Sequence, residues 1–152
     1  MSEAEKLDRF QAHGKEFLDV LSTIPEAHRY TTVDGGWSAA YVVHHMADAE
    51  LHFASRYLHA IGDVTPNVVP FDEEAYPERV QYALRKVKTS LAALVGIRTM
   101  AAEILANATD ADWKKVSKHP ELGAVTLSDL FEKADGHIVS HTQQLREIAA
   151  HF

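Results

Sequence analysis

Apolar residues recur at helical spacing over four long stretches of this chain, and polar residues fill the positions between them. From about Glu3 to Thr23, Leu7, Phe10, Phe17, Leu18 and Leu21 fall on one stripe of a helix. Gly14 lies on that stripe and lets another helix approach closely, and Pro25 ends the pattern. A second helix is predicted from about Ala39 to Ile61. Ser38 has N-cap chemistry, with Trp37 and Val42 placed for a hydrophobic staple. Its inward stripe is Val42, His45, Met46, Ala49, Phe53 and Tyr57, and Gly62 ends it. Residues from about Gly62 to Tyr76, with Pro66 and Pro70, form a connection. The third helix is expected to start near Pro77, a favoured first helical residue, and to end near Ala108. Val80, Leu84, Val87, Leu91, Leu94, Ala101 and Leu105 make its stripe. From about Thr109 to Val125 the pattern is irregular, and two short runs flank His119-Pro120-Glu121-Leu122-Gly123 as in a small hairpin. Thr126 and Asp129 then stand in capping-box positions for a fourth helix. Its face carries Leu127, Leu130, Phe131, Ala134, His137, Ile138, His141, Leu145 and Ile148.

Four amphipathic helices and little else imply an all-α fold, a four-helix bundle formed by one domain over residues 1–152. A connection of about 14 residues reaches roughly 45 Å when extended. A helix of about 23 residues is roughly 35 Å long. The chain between the second and third helices can therefore run the length of the bundle. That makes an up-down-down-up arrangement the expected topology.

Composition narrows the function classes. The chain has 152 residues, 46% hydrophobic and 24% charged, which suits one ordinary globular domain. The formal net charge is −7 and no basic run is present, which argues against a nucleic-acid partner and against anionic membranes. No apolar run approaches the ~18–20 residues that span a bilayer. The charged start Met1-Ser2-Glu3-Ala4-Glu5-Lys6 has no apolar signal core, so a cytoplasmic location is expected. There is no cysteine, which excludes disulfides, thiolate metal sites and a cysteine nucleophile.

Three of the ten histidines carry the candidate chemistry. His137 and His141 lie at i, i+4 and project side by side from one helix face. His45 lies on the inward stripe of the second helix. Burying two unpaired imidazoles is costly, whereas a neutral imidazole is a good ligand for a divalent ion. A third nitrogen from a facing helix closes a three-histidine site with room for water or substrate.

At these residues the chain resembles the DinB/YfiT-like metalloenzyme superfamily. The matching elements are Trp37-Ser38, His45 eight residues after the Trp, and His137-x-x-x-His141-x-x-Gln144. Gly36-Trp37-Ser38, Val42-Val43-His44-His45-Met46-Ala47-Asp48, Pro70-Phe71-Asp72-Glu73-Glu74-Ala75-Tyr76 and His119-Pro120-Glu121-x-Gly123 extend the likeness toward its YfiT branch, the bacillithiol S-transferase-like proteins. Gln143 stands where the family often has Gly, on the helix surface by spacing. The resemblance implies a four-helix bundle holding one divalent ion on His45, His137 and His141. It also implies thiol-transferase or hydrolase chemistry.

Other residues have two readings each. Gln144, one turn past His141, either hydrogen-bonds a ligand or metal-bound water or simply packs. Arg98 interrupts the stripe of the third helix; it either snorkels or aims its guanidinium into the pocket to hold a carboxylate. His44 points about 100° away from His45 and belongs to the surroundings of the site or the surface. His52 lies two turns beyond His45, at about 10 Å, and fits a pocket edge. Asp48 and Glu50 fit a solvated helix face, with a site role as the alternative. Trp37 and Trp113 fit packing anchors. Asp72-Glu73-Glu74 fits a solvated turn, or a segment that closes over a pocket mouth.

The leading expectation is a metal-dependent enzyme, with zinc first and nickel second, since imidazole suits both. As a transferase it would carry a small-molecule thiol cosubstrate onto an electrophile. As a hydrolase it would use metal-bound water. The rival classes are a non-catalytic small-molecule-binding bundle and a structural bundle with core histidines. A homodimer is a further expectation.

Overall fold

The computed structural model describes Met1–Phe152. Four long helices carry the fold: α1 (Glu3–Ser22), α2 (Ala39–Gly62), α4 (Val87–Ala106) and α6 (Leu127–Ala149). Between them lie two short helices, α3 (Tyr76–Arg79) and α5 (Asp110–Lys114), and a hairpin of β1 (Val116–His119) and β2 (Gly123–Thr126). Capping chemistry sets the helix starts. Ser2, Thr109 and Thr126 each close a reciprocal capping box, and the Ser38 side chain accepts the N–H of Tyr41.

Side-chain pairs fix how the helices run. Arg9 meets Glu132 and Arg146 meets Glu16, so α1 and α6 are parallel. His44 meets Ser90 and Glu50 meets Arg98, so α2 and α4 are parallel. His45 meets His141 while Phe53 meets His137, so α2 and α6 are antiparallel. Along the chain the four long helices run up, down, down and up.

The third helix is where sequence and structure part. It begins at Val87 rather than near Pro77. Pro77 instead opens the four-residue α3. Gln81 then takes a left-handed conformation, φ +55°, which breaks the helix. The break turns Tyr82 into the core, where its hydroxyl donates to Asp48 at 2.9 Å. Val80 and Leu84, expected on the inward stripe, are exposed. Leu94, Ala101 and Leu105 are buried as the periodicity predicts. By length and composition α4 is apolar enough to cross a membrane, contrary to the reading of apolar runs above, because its few charged residues are spread along an otherwise apolar helix. Here it packs against α1 and α2.

By chain position, a polar layer divides the apolar core into two clusters. Arg98 sits in that layer. Its Nη1 donates to Glu50 at 2.6 Å, its Nη2 donates to the Phe10 carbonyl at 2.6 Å, and its guanidinium lies over the Phe10 ring. Gly14 makes the room, because a Cβ there would stand 2.8 Å from Arg98 Nε. This places Arg98 in an internal ion pair between α1, α2 and α4, not among the three histidines. Burial pushes the Glu50 carboxyl up, and Arg98 opposes that shift. Replacing Arg98 with methionine leaves Glu50 without its cation, and a broken buried pair costs about 3–5 kcal/mol. Urea denaturation of Arg98→Met is expected to show a loss of that size. Adding Glu50→Leu is expected to recover most of it.

Candidate metal centre

The antiparallel crossing of α2 and α6 brings His45 against His137 and His141. His45 Nε2 is 3.1 Å from His137 Nε2, and His141 Nε2 is 3.2 Å from it. All three residues offer one nitrogen to a common point. Three ligands at about 2.0–2.1 Å from a tetrahedral ion stand roughly 3.3–3.4 Å apart, so the spacing fits a divalent ion. An ion at this point would take one Nε2 lone pair from each ring. His141 Nδ1 lies 2.8 Å from Gln144 Oε1, which can only accept. The proton therefore sits on Nδ1 and the Nε2 lone pair faces the centre. Gln144 is thus an orienting contact to His141.

Burial pushes the His45 imidazole down to about 4 and the His137 imidazole down to about 3, and the neighbouring histidines add to both shifts. His44 is also pushed down to about 4, by burial first and then by Arg85. All three are neutral at pH 7, the form in which an imidazole ligates. The shifts carry a stability consequence. Below an ordinary value near 6.5 the unfolded chain takes up protons that the folded chain refuses. Stability from these groups is full above about pH 6.5 and falls as pH drops toward their folded values. The urea midpoint of metal-free protein is expected to decline steadily from pH 7 to pH 5. A midpoint independent of pH over that range would show that the imidazoles are not buried neutral.

Aromatic rings wall the centre. Trp37 lies 5.2 Å from the His45 ring and 6.5 Å from the His141 ring, centroid to centroid. Phe53 meets His137 edge-on at 5.3 Å. A turn through Asp34 and Gly35, both at positive φ, delivers Trp37.

The connection from α2 to α3 supplies the carboxylate. Glu73 Oε2 lies 3.5 Å from His45 Nε2 and 3.8 Å from His137 Nε2. His52 holds this segment in place: its ring stacks on Phe71 at 4.0 Å and its Nε2 lies 3.0 Å from the Tyr76 hydroxyl. Arg56 donates to the Val69 carbonyl and lies over the Phe71 ring. A cavity of about 480 Å³ opens outward from His137, between this connection, α2, α6 and the hairpin turn.

A family model for the DinB superfamily matches residues 9–145. The chain belongs to the DinB superfamily. A relative from Oceanobacillus iheyensis, named as a suspected metal-dependent hydrolase, is 25% identical over 146 residues, which is 84% of each chain. Matches to four similarly named proteins from Geobacillus and Bacillus species span 64–66% of their lengths. Among solved structures, YfiT from Bacillus subtilis, described as having an unusual four-helix bundle topology, aligns with a TM-score of 0.87 at 22% identity. That alignment covers 99% of this chain and 89% of the other. A mycothiol-dependent maleylpyruvate isomerase aligns with a TM-score of 0.77 at 12% identity, covering 95% of this chain and 61% of the other. These two likenesses establish the fold.

In this DinB chain the sequence-predicted site residues part company. His45, His137, His141 and Gln144 meet, and Arg98 does not join them. His44 is buried rather than on the surface. Its Nδ1 lies 2.7 Å from Ser90 Oγ and its Nε2 lies 3.0 Å from the Tyr30 hydroxyl. Asp48 accepts from Tyr82 and Arg85, which anchors the break before α4. Glu73 is the residue whose place at the histidines the sequence left open. Three consecutive acids in a proline-flanked connection look like a solvated turn, and the docking of that connection through His52 and Arg56 brings Glu73 beside the histidines.

Proposed function

We propose that this chain is a metal-dependent enzyme that transfers a low-molecular-weight thiol to an electrophilic carbon. The observation that carries this reading is the convergence of three imidazole Nε2 atoms with a Glu73 carboxylate oxygen beside two of them, at the head of a small-molecule cavity. A divalent ion held by His45, His137 and His141, zinc before nickel, supplies Lewis acidity that lowers the pKa of a thiol or water beside it. Glu73 Oε2 accepts the proton of the nucleophile, being the nearest carboxylate to the centre. The sulfur then bonds to the electrophilic carbon, and the leaving group departs with its electron pair. Gln144 keeps the His141 ring in the ligating tautomer. Trp37 and Phe53 cover the histidines and limit the access of bulk water. The absence of cysteine suits this scheme, since the sulfur arrives with the substrate.

The second reading is hydrolysis, with water in place of the thiol. The names of the curated relatives favour it, and the same residues serve it. Turnover of zinc-loaded and nickel-loaded protein with a panel of small thiols and a chlorodinitrobenzene acceptor tests the first reading. The rate is expected to vanish with a chelator and return with added metal. Metal-dependent cleavage of amides or esters, with no thiol transfer, would establish the second reading in its place.

A further inference from the structure

The hairpin turn holds a histidine whose proton is placed by its neighbours. His119 ends β1 and is 8% exposed. Its Nδ1 accepts the backbone N–H of Glu121 at 3.1 Å and that of Leu122 at 3.0 Å. A backbone N–H can only donate, so Nδ1 presents its lone pair and the ring proton sits on Nε2. That Nε2–H has no acceptor in the chain and is not sealed from solvent. The ring lines the same cavity as His137. Lys133, one turn before His137 on α6, lines it too and has no carboxylate partner. The cavity wall therefore offers two donors, the His119 Nε2–H and the Lys133 ammonium, neither of them engaged by an acceptor within the chain.

We propose that His119 and Lys133 together hold a carboxylate of the substrate in this cavity, as specificity-determining residues. The proposal rests on the reading of the cavity as the substrate site. A carboxylate brings two acceptor oxygens and the charge that the lysine lacks. Arg56 contributes less, because one nitrogen is engaged with Val69 and its guanidinium covers Phe71. The carboxylates of Asp72, Glu73, Glu74 and Glu121 also line the cavity and, like Lys133, are exposed, but none of them pairs with His119 or Lys133. This pair takes the carboxylate-holding role that sequence spacing had suggested for Arg98.

A plain structural role for His119, as an acceptor that closes the turn, predicts a different response to mutation. Asparagine places a carbonyl oxygen where His119 has Nδ1, so His119→Asn keeps the turn amides satisfied. It has no atom where Nε2–H stood. Lys133→Met lies on another element and leaves the turn untouched. Zinc-loaded wild type and both variants are titrated calorimetrically with mercaptopropionate, butyrate and mercaptoethanol. Each variant is expected to lose about tenfold or more in affinity for the two carboxylates and to bind mercaptoethanol as wild type does. Nitrogen-detected NMR of the wild-type imidazole is expected to show the proton on Nε2. Unchanged carboxylate affinity in both variants, equal losses for mercaptoethanol, or no carboxylate binding to wild type would overturn the proposal. If butyrate binds as well as mercaptopropionate and mercaptoethanol does not bind, the carboxylate site stands and the thiol reading falls.

Discussion

Replacing His141 with alanine is expected to abolish stoichiometric binding of a divalent ion while leaving helix content intact. The His141 Nε2 is one of three nitrogens that converge within 3.1–3.2 Å of a neighbour, and no other side chain nitrogen stands ready to replace it. Outer contacts to a ligand are worth about 10–100-fold in affinity. Loss of a ligand atom itself should exceed that range. Gln144→Leu gives the internal comparison. It should weaken binding within that range and keep one equivalent, because the nitrogen remains and only its orienting partner is gone. Folding should survive in both variants, since the two apolar clusters are built from other residues. The metal-loaded form should lose the stabilisation that binding to the native state confers, so the melting temperature of the variant should no longer respond to added zinc. Competition with a chromophoric chelator measures the affinity. One equivalent bound to His141→Ala at wild-type affinity would remove His141 from the centre.

The ease of reading this site from sequence follows from periodicity. His45, His137 and His141 sit on inward stripes whose other members are apolar, so the helix pattern alone points them at the core. The antiparallel crossing of α2 and α6 then brings them together. The same logic places Arg98 inside, where it is buried, but leaves its role open, and for a physical reason. A charged residue on an inward stripe needs an internal partner or an exit, and the sequence does not show which. Here the partner is Glu50, which also lies on α2 and looked like part of a solvated face. Each residue hides the other's explanation until the helices are placed side by side.

The start of the third helix failed on different grounds. Pro77 is a sound helix-start signal, and it does open a helix. Nothing local announces that Gln81 adopts φ +55° six residues before α4 begins at Val87, because the contacts that stabilise that conformation are distant. They come from Tyr82 and Arg85 reaching Asp48 on α2. His119 and Glu73 belong to the same class. Their places depend on where a hairpin and a connection dock on the bundle, through Val68 N–H to the Lys118 carbonyl and Lys115 Nζ to the Ile61 and Asp63 carbonyls. Such contacts carry no period to read.

Glu73→Gln is expected to lower turnover by about 10²–10⁴-fold, the usual worth of a positioned proton acceptor. The substitution keeps the size of the side chain and its place on the connection, and removes the capacity to take a proton. The stack of His52 on Phe71 and its contact with Tyr76 do not involve Glu73, so the segment should stay docked. An interaction made only in the transition state lowers kcat and kcat/KM together, and that pattern is expected here. Metal content should remain at one equivalent. Because Glu73 Oε2 lies 3.5 Å and 3.8 Å from two of the converging nitrogens, a second role as a direct ligand has a distinct signature. In that case metal affinity would fall in step with turnover, and excess metal would restore the rate. Steady-state kinetics at saturating zinc separate the two. A rate that stays low with the centre fully loaded assigns Glu73 to proton transfer. A rate close to wild type would remove Glu73 from the chemistry and leave the nucleophile's proton to solvent.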